Sequence, residues 1–279
     1  MDLETLLARV LSLGEDEDWA SAADLLAEHL EEFDDEAAVH CWLGVAEREL
    51  GMEGVAYERF KRTLALGPTD PYVLATAGNA VAAFDDPEAE QALRTAALTA
   101  PDVPLTRLLY GAYLTREGLF EEAGGELLAA RALDEDDPQI RYELGVLYAL
   151  QERYDEAADT LADAVRLDPE DAWTRAVFGL VLLETDRPEE AAGELVEAAR
   201  LDEQDVEAQL LASLASSAVG RDGIAYEMLE RARQRAIEGD LQLITAVEDR
   251  LDAGHPAARA MLREEVAPAL LRERLYERP

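Results

Sequence analysis

One pattern of residues recurs every 34 positions along most of this chain, and it limits the fold more than any other feature. Between Pro138 and Asp171 the markers are Leu144-Gly145, Tyr148, Tyr154-Asp155-Glu156-Ala157-Ala158, Leu161, Ala164 and Leu167-Asp168-Pro169. They return as Phe178-Gly179, Leu182, Pro188 to Ala192, Leu195, Ala198 and Leu201-Asp202, and appear earlier as Tyr110-Gly111, Leu114, Phe120 to Ala123, Leu127, Ala130 and Leu133-Asp134. A fixed period of this length marks stacked supersecondary units, each unable to bury its apolar face alone.

The register places repeats at 3–36, 37–70, 71–103, 104–137, 138–171, 172–205 and 206–239, the third one residue short near Asp85-Asp86-Pro87. The spacing predicts two helices per repeat. An alanine recurs early in each second helix (Ala22, Ala56, Ala89, Ala123, Ala157, Ala191, Ala225), followed four residues later by Leu26, Phe60, Leu93, Leu127, Leu161, Leu195 and Leu229. Five first helices carry a central glycine: Gly44, Gly78, Gly111, Gly145 and Gly179, with Val10 and Ser213 in the end repeats. Small residues on both helices permit close approach, and the large ones fill the gaps beside them. Asp70-Pro71 and Asp137-Pro138 read as helix starts, and Pro68, Pro101 and Pro169 as stops. No run of short alternating strands is present.

These residues and this period resemble the tetratricopeptide repeat family over residues 3–239. The resemblance implies an all-α, right-handed superhelical solenoid of about seven helix-turn-helix repeats. It also implies that the first helices line an inner face where ligand peptides lie, at the second, fifth, ninth and twelfth positions of each repeat. Here the candidate partner-binding residues at those positions are Leu7, Leu11, Val45, Tyr72, Asn79, Leu105, Leu108, Tyr142, Val146, Trp173, Leu180 and Leu183, with Cys41, Ala75, Ala112, Ala149, Ala176, Leu210 and Leu214 beside them. So apolar a lining suits another protein, presented as an apolar peptide or amphipathic helix. Two other readings stand beside it: the residues cover one another in a tight superhelix, or residues 256–279 occupy the groove.

The family's mode of holding an acidic C-terminal peptide needs Lys or Arg beside an inner Asn. Asn79 is the one asparagine, but its inner neighbours are Cys41, Ala75, Thr76, Leu105 and Leu109, and Arg48 and Arg116 stand apart. An apolar partner that is neutral or basic is expected.

Residues 240–279 leave the pattern. Leu241, Leu243, Ile244, Val247 and Leu251 suit one amphipathic helix ending at Gly254, Pro256 opens a second, and Pro268 starts or kinks a third. Capping of the last repeat is the expected role. Charge also changes here: residues 221–279 hold 10 Arg against 12 acids, in a chain with 25 Lys and Arg, 62 Asp and Glu, and a net charge of −37. An Arg-bearing tail beside an acidic body could also fold back onto it.

The same charge argues against a nucleic-acid binder, which needs basic phosphate contacts, and against docking on an anionic membrane. With 49% apolar residues the chain can build a core and is not disordered. Lys61 is the only lysine. Few lysines with abundant acids suit a salty cytoplasm, where counter-ions screen self-repulsion; codon bias in a GC-rich genome is the other reading, and it explains Arg over Lys but not the excess of acids. One cysteine, the absence of a basic leader at Met1-Asp2-Leu3-Glu4 and the lack of a long apolar run point to a cytoplasmic protein.

No catalytic, metal or cofactor signature stands out. His40 and Cys41 are neighbours, and neighbours on a helix point apart. The positions equivalent to His40 hold Leu74, Arg107, Arg141, Arg175 and Gln209, which suggests a partly solvated site; His29 is expected at a helix interface and His255 in a turn without a partner. No HExxH, CxxC, phosphate loop or calcium loop occurs. The expectation is a non-enzymatic scaffold or adaptor without cofactors. The alternative is a structural subunit, permanently assembled in a complex or self-associating.

Overall fold

The computed structural model describes residues 1–277, so the last two residues of the expected C-terminal segment, Arg278 and Pro279, lie outside the described residues. Among those described there is no β-strand. The chain divides into two compact units, Met1–Asp134 and Glu135–Pro279.

The first unit holds α1 (Leu3–Glu15), α2 (Trp19–His29), α3 (Ala37–Glu49), α4 (Glu53–Ala65), α5 (Pro71–Ala82), α6 (Glu88–Thr99), α7 (Pro104–Arg116) and α8 (Phe120–Leu133). The second holds α9 (Pro138–Leu150), α10 (Tyr154–Leu167), α11 (Ala172–Glu184), α12 (Pro188–Leu201), α13 (Val206–Ala218), α14 (Asp222–Arg235), α15 (Leu241–Asp252), α16 (His255–Ala260) and α17 (Ala267–Tyr276). From α1 to α14 consecutive helices form packed pairs, and within each unit the second helix of one pair packs on the first helix of the next.

The glycines set the spacing inside the pairs. A Cβ on Gly111 would lie 2.7 Å from Cγ of Leu127, on Gly145 2.6 Å from Leu161, and on Gly179 2.7 Å from Leu195. Gly78 meets Ala92 and Leu93, and Gly44 meets Phe60. Thus the recurring glycine is seated against the recurring large residue of its own pair, and at Gly111, Gly145 and Gly179 closer than a Cβ would allow. In the last pair Ser213 takes this place, and its buried hydroxyl donates to the carbonyl of Ala225 at 2.7 Å.

The turns repeat as faithfully. One residue between the helices of each pair lies in the left-handed region: Glu17, Gly51, Asp85, Gly118, Glu152, Asp186 and Gly220. The next residue donates its N–H to the carbonyl five residues back, as in Leu119 to Leu114 and Arg153 to Tyr148, both at 2.9 Å. This is the Schellman closure, which satisfies carbonyls left open at a helix end. Helix starts are capped by the side chains of Asp2, Asp70, Asp137, Asp171 and Asp205, each accepting a first-turn N–H. In the short third repeat Asp86 does this work, accepting the N–H of Glu88 at 2.8 Å.

Candidate functional site

In the first unit α1, α3, α5 and α7 pack side by side, so the first helices form one face. Leu11 and Tyr72 stand 45% and 48% exposed there, Leu7, Asn79 and Leu105 are half-buried, and Val45 and Leu108 are buried. Cys41 is fully buried with its thiol directed at the carbonyl of Val73, and desolvation pushes its pKa up to about 12. His40 turns to another partner: its Nε2 lies 2.8 Å from the carbonyl oxygen of Asp34. The two neighbours therefore do not form a thiol–imidazole pair.

His40 is buried, not partly solvated as the sequence suggested, and the reason is a shared task. His40, Arg107, Arg141, Arg175 and Gln209 each reach the carbonyl of the residue six positions earlier: Asp34, Pro101, Glu135, Pro169 and Glu203. Each pins the loop that leads into its helix. Arg107 and Arg175 add an ion pair to Glu126 and Glu194, at 2.6 and 2.7 Å.

In the second unit the corresponding face is filled by the chain itself. α15 packs on α13 and α14, as a cap should. The chain then turns at Gly254, whose φ of +97° suits glycine, and α16, a π-helical segment (Met261–Val266) and α17 run back across α13, α11 and α9. The π-segment has a local cause: Pro268 has no N–H to offer the carbonyl four residues earlier, and a widened turn accommodates this. Met261, Leu262, Leu270, Leu271 and Leu275 are buried in one apolar cluster with Tyr142, Val146, Leu180 and Leu183. Those four candidate lining residues share one buried core with the chain's own C-terminal segment, whose α17 packs on α11 and α9, an outcome the sequence left open beside simple capping.

Arginines fix the segment at both ends of the inner helices. Arg259 donates to the carbonyl of Ala218 at 2.7 Å, at the end of α13. Arg263 reaches the carbonyl of Leu183 at 3.4 Å and the carboxylate of Asp186 at 3.0 Å, at the end of α11. Cations suit these carbonyl-rich termini. At the other end Arg274, only 5% exposed, lies 3.0 Å from Glu207 and 3.5 Å from Asp205, with its guanidinium 4.8 Å from the centre of the Trp173 ring. Trp173 donates its indole N–H to the Tyr142 hydroxyl at 2.8 Å, which orients the ring. His255, expected without a partner, sits 2.9 Å from Asp222. Of these groups the sequence singled out Tyr142 and Trp173 but not Arg274, Asp205 or Glu207; the change in charge at residue 221 was the available signal.

Among the described residues no group of three or more His, Cys, Asp and Glu side chains is arranged to hold a metal ion, and no helix is long and apolar enough to cross a membrane.

Residues 125–172 match the family model described as tetratricopeptide repeat. No curated protein matches the chain. Among solved structures it resembles the APC/C hetero-tetramer Cut9–Hcn1, with a TM-score of 0.72 and 18% identity over 89% of this chain and 49% of that one; this chain spans about half its length. A tetratricopeptide repeat protein from Parabacteroides merdae is similar with a TM-score of 0.60 and 14% identity, over 91% of this chain and 98% of that one. A thermophilic tetratricopeptide protein of Thermus thermophilus, TTC0263, gives 0.57 and 21% identity over 64% of this chain and 98% of that one. At these identities the likeness is one of fold.

Proposed function

Proceeding from a chain built of tetratricopeptide repeats, we propose that it is a non-enzymatic scaffold or adaptor that binds a segment of another protein on the inner face of its first helices. Proteins of this family generally mediate protein–protein interaction and scaffolding. The observation that carries the reading is that Leu11 on α1 and Tyr72 on α5, both large apolar side chains, stand about half exposed, while Leu7, Asn79 and Leu105 on the first helices of the same unit are partly open. Large apolar side chains left open on a face of packed first helices are available to a partner. The net charge of −37 favours a neutral or basic partner and disfavours acidic peptides and nucleic acid. A cytoplasmic location fits this reading.

The test is paired co-purification from the source cells at their own salt, with wild type and a Leu11→Asp/Tyr72→Asp variant as baits. One stoichiometric protein held by wild type and lost from an equally helical variant supports the proposal. Equal recovery by both baits removes the inner face of the first unit from the account.

One observation favours a second reading, a permanently assembled or self-associating subunit. Ile237, Leu241 and Leu243 are 72%, 55% and 43% exposed around the turn from α14 into α15. Sedimentation of the purified chain separates the readings: a monomer fits an adaptor, and a concentration-dependent oligomer fits a subunit.

A further inference from the structure

The segment lying across α9, α11 and α13 has the form of a ligand. It is amphipathic, turning Leu270, Leu271 and Leu275 into the apolar cluster while Arg272 and Glu273 stay in solvent. Its one buried charge, Arg274, enters a socket assembled from three successive repeats: Tyr142, then Trp173 with Asp205, then Glu207. Two carboxylates and an indole face around one guanidinium form a recognition site for arginine, combining ion pairing with stacking on the ring.

We infer that this inner face of the second unit is a docking surface for an arginine-bearing amphipathic helix, with residues 255–277 as its resident and displaceable occupant. The partner presents the pattern that the occupant shows, a Leu-Leu pair followed three residues after its second leucine by Arg-Leu, as in Leu270-Leu271 and Arg274-Leu275. Charge complementarity supports an arginine at this position, since Asp205 and Glu207 line the socket. Three features suit the occupant to leave. The hinge at Gly254 is a single left-handed glycine. The helix is interrupted by the π-segment before Pro268. Beside the apolar burial, Arg259, Arg263 and Arg274 hold the segment through contacts that an arginine-bearing helix can replace. This inference deepens the scaffold reading but rests on other residues, so loss of function at Leu11 and Tyr72 would leave it untouched, and the reverse.

The test uses the full chain and a synthetic peptide of residues 255–277 as probe. A Leu271→Asp/Leu275→Asp chain, with its own segment released, is expected to bind the labelled peptide at least tenfold more tightly than wild type. The same peptide carrying Arg274→Ala is expected to bind at least tenfold more weakly. Failure of the released chain to bind, while its α9–α14 helicity is intact, overturns the inference, as does equal binding of the two peptides. Should the variant unfold, hydrogen exchange on wild type decides: amides of 255–277 should exchange before those of α11 and α13, and faster when excess peptide is present. Exchange of the segment only together with the whole unit means it is core, and the inference falls.

Discussion

The guanidinium carbon of Arg274 lies 4.8 Å from the centre of the Trp173 ring, joining the last helix to the first turn of α11. With Glu207 and Asp205 also in reach, the buried cation is compensated on both sides. Reversing its sign should undock the segment, because an unpaired buried charge costs roughly 3–5 kcal/mol. Arg274→Glu is expected to make residues 255–277 a site of rapid limited proteolysis, whereas Arg272→Glu, on the exposed side of the same helix, should leave the digestion pattern unchanged.

Glycine substitutions should change sign with position. Gly145→Ala forces a Cβ to within 2.6 Å of buried Leu161 Cγ and should destabilise by about 1–3 kcal/mol. Gly125→Ala, in α8 with nothing within 4 Å, should stabilise by about 0.5–1 kcal/mol. Shifts of the urea midpoint in opposite directions are the check.

At the turns the logic inverts. Glu152 and Asp186 adopt φ of +59° and +56°, where the equivalent positions in other repeats are Gly51, Gly118 and Gly220. The left-handed conformation costs a side-chain-bearing residue about 1 kcal/mol. Glu152→Gly should therefore raise the thermal midpoint, and Gly118→Glu should lower it.

Asp86 accepts the N–H of Glu88, pairs with Lys61 at 2.9 Å and accepts from the Tyr57 hydroxyl at 2.7 Å. The backbone N–H of Glu88 and then Lys61 hold its pKa at about 2, below the usual 3.8. A depressed carboxylate contributes stability that is present above the unfolded pKa and lost as pH falls through the folded one. After allowance for solvent screening, wild type should exceed Asp86→Asn by about 1–2 kcal/mol at neutral pH. The gap should close between about pH 4 and pH 2, as measured by denaturant unfolding at each pH.

Self-repulsion at −37 should make stability rise with salt. The expected result is a higher thermal midpoint in molar KCl than in dilute buffer. An unchanged or lower midpoint removes salt adaptation from the account.

The helix pairs were legible because their packing is written at fixed spacing: Gly145 and Leu161 stand in one repeat as Gly179 and Leu195 do in the next. The loop-pinning bonds were not, because His40 and Gln209 do the work that Arg107, Arg141 and Arg175 do in the repeats between them, so the position shows no single side-chain type. The C-terminal segment was legible as helices, from Gly254, Pro256 and its leucines. Its docking was not, since an apolar stripe outside the repeat carries no register that names the face it will cover.

The most direct test of the scaffold claim is hydrogen exchange on the full chain, alone and saturated with the stoichiometric partner it retains at native salt. The account predicts that added protection falls on the first helices, above all α1 and α5, which carry Leu11 and Tyr72. Protection confined to the second helices α2, α4 and α6, with the first helices unchanged, would contradict it.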